Sequence, residues 1–288
     1  MPEPSPLAGV HVVSLATNLP GPLAAARLHE LGATVTKIEP PTGDALAQGA
    51  PCWYASLTRG QTILRLDLKA QTDLDRFTDV LTRADILLTA MRPSAAERLG
   101  IPDIVAGFPR LSVIEIVGSD DAERPGHDLT HQAEHGLITP PLMPRVLIAD
   151  LLGAERAVSA VLLALLNRAA SGRGDHQRVS LERAAADASE STRFGLTSPG
   201  GILGGADPAY GLYDTADGVI AVAALEPHFR ERLTLMTGGS SRDALERAFR
   251  THPTTTWLRL AADADIPLVR VDSSAELHAT TQQFKEEL

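Results

Sequence analysis

Short apolar runs alternate with stretches of helical spacing along the first two thirds of the chain. Residues 10–15, 34–39, 62–68, 85–89, 111–117 and 176–181 are dense in Val, Ile, Leu and Thr and are bounded by turn residues, so they read as strands. Between them, residues 23–31, 72–82, 95–99 and 150–170 repeat apolar side chains three and four positions apart, the spacing of a helix with one buried face. Gly32, Gly100 and the Ser171-Gly172-Arg173-Gly174 turn close three of these helices. Parallel neighbours need a long crossover, and a helix is the usual one, so the alternation predicts a parallel sheet covered on both faces.

The first such unit runs from residues 10–15 through Pro20-Gly21-Pro22 and a helix to residues 34–39, a Rossmann-like arrangement. Its loop lacks the spaced glycines that let a backbone approach a dinucleotide, which argues against nicotinamide. Turn residues crowd positions 198–205 and mark the expected linker. Beyond it, residues 210–215 and 219–223 read as a hairpin turning at Asp217-Gly218, followed by helices over 227–236, 242–250 and 255–264 and a strand over 267–271. The expected organisation is a large α/β domain over 1–197, then the linker and a smaller α+β domain over 198–288.

Composition narrows the function. With 44% hydrophobic residues in 288, the chain can bury a sizeable core. A net charge of −10 and 4% aromatics leave neither the cationic surface nor the stacking platforms that nucleic acids need. No apolar run approaches membrane-spanning length and Met-Pro-Glu-Pro-Ser-Pro is no signal core, so a cytoplasmic protein that avoids membranes is expected. Cys52, the single cysteine, has no partner for a disulfide or a thiolate metal site and reads as a packing residue. Lys37, Arg59 and Arg92 stand at or just past expected strand ends, where α/β sheets bind ligands, although isolated surface cations are the plainer reading of each.

The stretch 124–150 carries the chemistry. Pro125-Gly126 breaks regular structure ahead of His127, and Asp150 falls where an apolar run hands over to a long helix, as an N-cap residue would. An imidazole and a carboxylate across one pocket are suited to moving a proton near neutral pH. Taken singly, Asp150 is a helix cap and His127 a solvent-facing loop residue.

Several motifs together resemble the family III CoA-transferase (CaiB/BaiF) group, which includes α-methylacyl-CoA racemase. They are Leu7-Ala8-Gly9-Val10 with Pro20-Gly21-Pro22, Leu31-Gly32-Ala33 through Lys37-Ile38-Glu39-Pro40-Pro41, Arg59-Gly60 with Leu66-Asp67-Leu68-Lys69, Arg92-Pro93, Glu97-Arg98-Leu99-Gly100 and Ser171-Gly172-Arg173-Gly174. The resemblance implies the Rossmann-like fold, an interlocked homodimer, and coenzyme A as the thioester part of the substrate, with no prosthetic group and no metal. It also places the family's aspartate at Asp150. In the transferases that residue carries the acyl group and then the CoA thioester; in the racemase it is one of two opposed acid/bases.

Gly126-His127-Asp128 is similar to the racemase's histidine motif, and Ala224-Leu225-Glu226-Pro227-His228-Phe229 to the segment whose glutamate partners that histidine. The first expectation is therefore a racemase, epimerase or isomerase that moves the proton on the carbon next to an acyl thioester, 2-methylacyl-CoA-like or carrier-protein-bound. His127, Asp150 and Glu226 would be catalytic, with Glu226 reaching in from the other chain. Lys37, Arg59, Arg92, Gly126 and Asp128 would hold the cofactor part, and the start of the helix at Asp150 would offer N–H groups to the enolate oxygen. The alternative is a CoA transferase in which Asp150 alone is essential. A third reading, a retired family member acting as a binding partner, stays open.

Overall fold

The computed structural model describes residues 5–272. Six strands, β1 (His11–Ser14), β2 (Thr34–Glu39), β3 (Thr62–Arg65), β4 (Ile86–Thr89), β5 (Ser112–Val117) and β6 (His176–Ser180), form one sheet. Every neighbouring pair is parallel and the order is β3-β2-β1-β4-β5-β6. The register sets Val12 against Val35 on one side and Ile86 on the other. Successive side chains on a strand point to opposite faces, so β1, β2, β4 and β5 feed two cores, while the edge strands β3 and β6 are more exposed. Val12, Ile86, Leu88, Ile114 and Ile116 join the core on one face, while Val13, Leu87 and Ile38 join Phe77, Leu81 and Ile101 on the other. That double burial is why these strands read as continuous apolar runs.

The helix Ile148–Ser171 lies over the first of those cores. It buries Ala149, Gly153, Ala154, Ala157, Val158, Ala160, Val161 and Ala164, mostly small residues that let it come close to its neighbours Pro20–Glu30 and Leu181–Ala188. Just past its end, a Cβ on Gly174 would sit 2.0 Å from the carbonyl oxygen of Leu111. No side chain fits there, so this part of the Ser-Gly-Arg-Gly motif is explained by backbone packing.

Five short helices of this unit were absent from the apolar pattern: Ala45–Gly49, Pro51–Leu57, Ile101–Ala106, Asp128–Glu134 and Leu181–Ala188. Each spans at most about two turns, too few for a periodicity to show. Cys52 lies on Pro51–Leu57 and is exposed, not a packing residue as expected.

The chain divides into two compact units, Met1–Ser189 and Glu190–Leu288. In the second, the antiparallel sheet β7-β8-β9 is built from Tyr210–Asp214, Val219–Ala223 and Leu268–Arg270. Its buried face packs on Leu233, Leu245, Phe249 and Trp257, with the Phe249 and Trp257 rings edge to face at 5.0 Å. The glycine-rich stretch 198–205 is folded back on the residues before it: Leu203 N–H donates to Leu196 O (2.9 Å) and Ser198 Oγ to Thr192 O (2.7 Å).

One polar cluster interrupts the apolar interior. Lys37 on β2 is 0% exposed, and its ammonium reaches Asp44 (2.7 Å), Glu39 (3.3 Å) and the carbonyl of Ala16 (3.3 Å). Tyr54 donates its hydroxyl to Glu39, and Asp44 accepts from the N–H of Asn18 (3.1 Å), which ties the loop after β1 into the same network. Glu39 also lies 4.0 Å from exposed Arg65, but removing the buried ammonium would leave Asp44 without a counter-charge and Glu39 with only that distant one. Lys37→Met should therefore lower the unfolding free energy by about 3–5 kcal/mol, read as a reduced urea midpoint with an unchanged slope.

Candidate active site

The strand order reverses between β1 and β4, and open parallel sheets bind ligands outside the carboxyl ends of the strands at such a point. A cleft of about 210 Å³ occupies that place. Thr17 and Asn18 enter it from the loop after β1, Met91 and Arg92 from the loop after β4, and Gly118 from the end of β5; His127 and Asp150 close it. A second, more apolar cleft over the ends of β2 and β3, lined by Pro40, Pro41 and Leu66, shares Thr17, Ala90 and Met91 with the first. The two lie side by side beyond the carboxyl ends of the strands.

Asp150 differs from expectation in a way that matters for its chemistry. The helix begins at Ile148, so Asp150 is its third residue and not its cap, and Leu147 at the cap position makes no side-chain bond. Capping is done from elsewhere: Asp128 Oδ1 accepts the N–H of Ala149 (2.8 Å) and that of Asp150 (3.3 Å). The next N–H, of Leu151, is bonded to Leu147 O (3.0 Å). The carboxyl group of Asp150 itself has no hydrogen-bond partner among the described residues. Burial, and then the charge of Asp128, push its pKa up to about 7. The helix N-terminus pulls the other way but is outweighed.

His127 is an exposed wall of the same cleft. It stands at the cap of the helix Asp128–Glu134, fixed by Thr130, whose Oγ accepts from His127 N–H (3.1 Å) and donates to His127 O (2.8 Å). Gly126 before it is needed for space: a Cβ there would lie 2.4 Å from the ring of His131. That ring is 3% exposed, its two nitrogens have no partner among the described residues, and burial lowers its pKa, which favours the neutral form as a packing group. Arg124, also in the cleft wall, is paired with Glu134 and lies 3.9 Å from Glu182.

The structure thus brings His127, Asp150, Gly126 and Arg92 to one cleft. Lys37 is not there; its charge is taken up by Glu39 and Asp44 inside the fold. Arg59 is exposed just past the helix Pro51–Leu57 and lines neither cleft. Asp128 is 4% exposed and faces the backbone of the Asp150 helix, not a ligand. Glu226 belongs to the second unit, exposed at the cap of the helix Pro227–Thr237. Thr17, Asn18, Met91 and Gly118 escaped the sequence reading because their meeting depends on strand order. Gln132, four residues after Asp128 on one helix, was a detectable signal: its amide joins Asp128 to Val146 O (2.8 Å).

Comparison with known proteins bears on the fold and the family. The probable fatty acyl-CoA transferase Rv3272 of Mycobacterium tuberculosis is 29% identical over 272 residues, 81% of this chain and 69% of that protein. Its crystal structure superposes with a TM-score of 0.81 at 24% identity, covering 99% of this chain and 88% of that one, so the two share a fold. The acetyl-CoA:oxalate CoA-transferase of Acetobacter aceti is 26% identical over 325 residues, 96% of this chain and 84% of the relative. The CoA-transferase/lyase DddD of a Marinomonas species is 32% identical over 202 residues, 62% of this chain but only 23% of that longer protein. The family model for CoA-transferase family III matches residues 7–288, and the chain belongs to that family.

Proposed function

We propose that the chain is a CoA transferase acting on acyl-CoA thioesters, with Asp150 as the covalent carrier. The observation that carries this reading is the placement of Asp150: a hydrogen-bond-free carboxylate with its pKa raised to about 7, in a cleft at the switch point of the sheet. A carboxylate of that basicity is a better nucleophile than one near 4, yet is still about half ionised at neutral pH. The CoA-transferase names of the relatives support the same choice.

Four balanced steps follow. The Asp150 carboxylate attacks the thioester carbonyl, and the C–S bond breaks to give an acyl-aspartyl anhydride and CoA thiolate. The thiolate then attacks the aspartyl carbonyl, the first acid leaves as its carboxylate, and Asp150 holds CoA as a thioester. An incoming carboxylate displaces the thiolate to form a second anhydride. The thiolate finally attacks the new acyl carbonyl, which frees Asp150 and the product thioester. The second, more apolar cleft gives room for the CoA moiety, and exposed Arg92 offers a charge for its phosphates.

A racemase reading, with His127 and Asp150 on opposite faces of an α-carbon and Glu226 supplied by the other chain of a homodimer, draws on their shared cleft. It is the weaker one. The relatives compared above carry CoA-transferase names, and the helix-start N–H groups expected to hold the enolate oxygen are already bonded, two to Asp128 and one to Leu147, so an oxyanion in either chemistry needs donors from elsewhere.

Incubation with acyl-CoA donors and hydroxylamine should leave a hydroxamate at Asp150, found by peptide mass spectrometry and absent from Asp150→Asn. His127→Ala should keep trapping within about tenfold. Deuterium uptake at the α-carbon without any hydroxamate would favour the racemase, and neither signal across a broad panel would favour a binding role.

The raised pKa of Asp150 also has a cost to stability. With a folded pKa of about 7 against about 4 unfolded, the folded state binds the extra proton between those values, so stability falls as pH rises from 4 to 7 and levels off above. Asp150→Asn escapes the loss. It should be more stable than the parent by about 1–3 kcal/mol at pH 8 and indistinguishable at pH 4 in thermal melts.

A further inference from the structure

We propose that Asp128 is the positioning residue for Asp150: one buried carboxylate, bonded to the N–H groups of Ala149 and Asp150, fixes the first turn of the helix that carries Asp150 and sets a negative charge beside it. The catalytic consequence rests on the transferase reading above; the electrostatic one does not.

The argument starts from what surrounds Asp128. Its Oδ1 takes the N–H groups of Ala149 and Asp150, and its Oδ2 takes the amide of Gln132, which also holds Val146 O. All these partners are uncharged donors, and no lysine or arginine pairs with Asp128 among the described residues. An ion held only by amides keeps its field, and at low dielectric that field is felt by neighbouring titratable groups. They are Asp150, whose own N–H is one of the donors, and His131, three residues along the helix Asp128–Glu134, where burial outweighs it. The other charged or titratable groups lining the cleft are Arg92, Arg124 and His127, and Arg124 is already engaged by Glu134 and Glu182.

A cap alone needs no charge. Serine or asparagine satisfies helix N–H groups about as well as aspartate. What aspartate adds is a negative charge against the positive end of the helix dipole, which would otherwise stabilise the Asp150 carboxylate and blunt it as a nucleophile. Because His127 is the residue next to Asp128, the same bonds also tie the histidine loop to the Asp150 helix.

The test separates charge from capping. With aspartate carboxyl groups labelled with ¹³C, the titration of Asp150 is followed by NMR in the parent protein, Asp128→Asn and Asp128→Ala, alongside the pH profile of hydroxylamine trapping. In Asp128→Asn the Asp150 midpoint should fall by about one pH unit, and the acidic limb of trapping should move down with it. A merely structural role predicts an unmoved midpoint in Asp128→Asn, and that result would overturn the proposal. If Asp128→Asn does not fold, the parent protein still decides: the Asp128 carboxyl resonance must step at the Asp150 midpoint, and no such cross-perturbation would equally overturn it. A shifted midpoint with no hydroxamate in any variant upholds the inference and sinks the transferase reading; hydroxamate with an unmoved midpoint does the reverse.

Discussion

The reversal of strand order between β1 and β4 is the constraint on which the site depends. Right-handed crossovers send the chain from β1 towards one edge of the sheet and from β4 towards the other, so the loops beyond these two strands diverge and leave an opening. Neither loop closes it. The opening is filled from a distance by the histidine loop and by the first turn of the helix Ile148–Ser171, both C-terminal to β5. Asn18, on the loop after β1, is held in turn by the buried Lys37–Asp44 pair, so the rim of the cleft is anchored to the interior of the sheet.

A helix that starts in a dry place needs acceptors for its first N–H groups. Here the solution has a chemical effect, because the acceptor is an anion and the third helical residue is the candidate nucleophile. Solvent or a serine would have met the first need without the second. The small residues along the helix complete the arrangement: they allow close packing on Pro20–Glu30 and Leu181–Ala188, which fixes the axis and hence the place of Asp150.

Much of this fold is legible in the sequence for a simple reason. Strands buried on both faces are rich in apolar and β-branched residues, and residues 34–39 are observed as a strand over the expected range although Lys37 and Glu39 interrupt that pattern. The long helix of residues 148–171 gives enough turns for its spacing to show. Helices of two turns leave no such trace, which hid Asp128–Glu134 and with it the meaning of Asp128. The candidate site was visible in part. His127 and Asp150 could be picked out by residue type and by neighbouring turn signals, and both do line one cleft. Burial could not be read: Lys37 looks like any strand-end cation, yet it is sealed inside with two carboxylates, whereas Arg92 on a loop reaches the cleft.

The position of the helix cap, three residues earlier than expected, bears directly on which chemistry fits. Had Asp150 been the cap, its carboxylate would have been bonded to the backbone and acidic, and the N–H groups behind it would have been set by Asp150 itself. With Ile148 as the first residue, Asp150 is released from capping and its carboxyl group faces the cleft wall unbonded, while the first-turn donors are consumed by Asp128. Enolate formation and acyl transfer both build an oxyanion that needs donors, and the first-turn N–H groups are taken up by Asp128 and Leu147, so those donors must come from elsewhere in either case. What the helix start leaves available is a free, basic carboxylate, the group that anhydride chemistry requires.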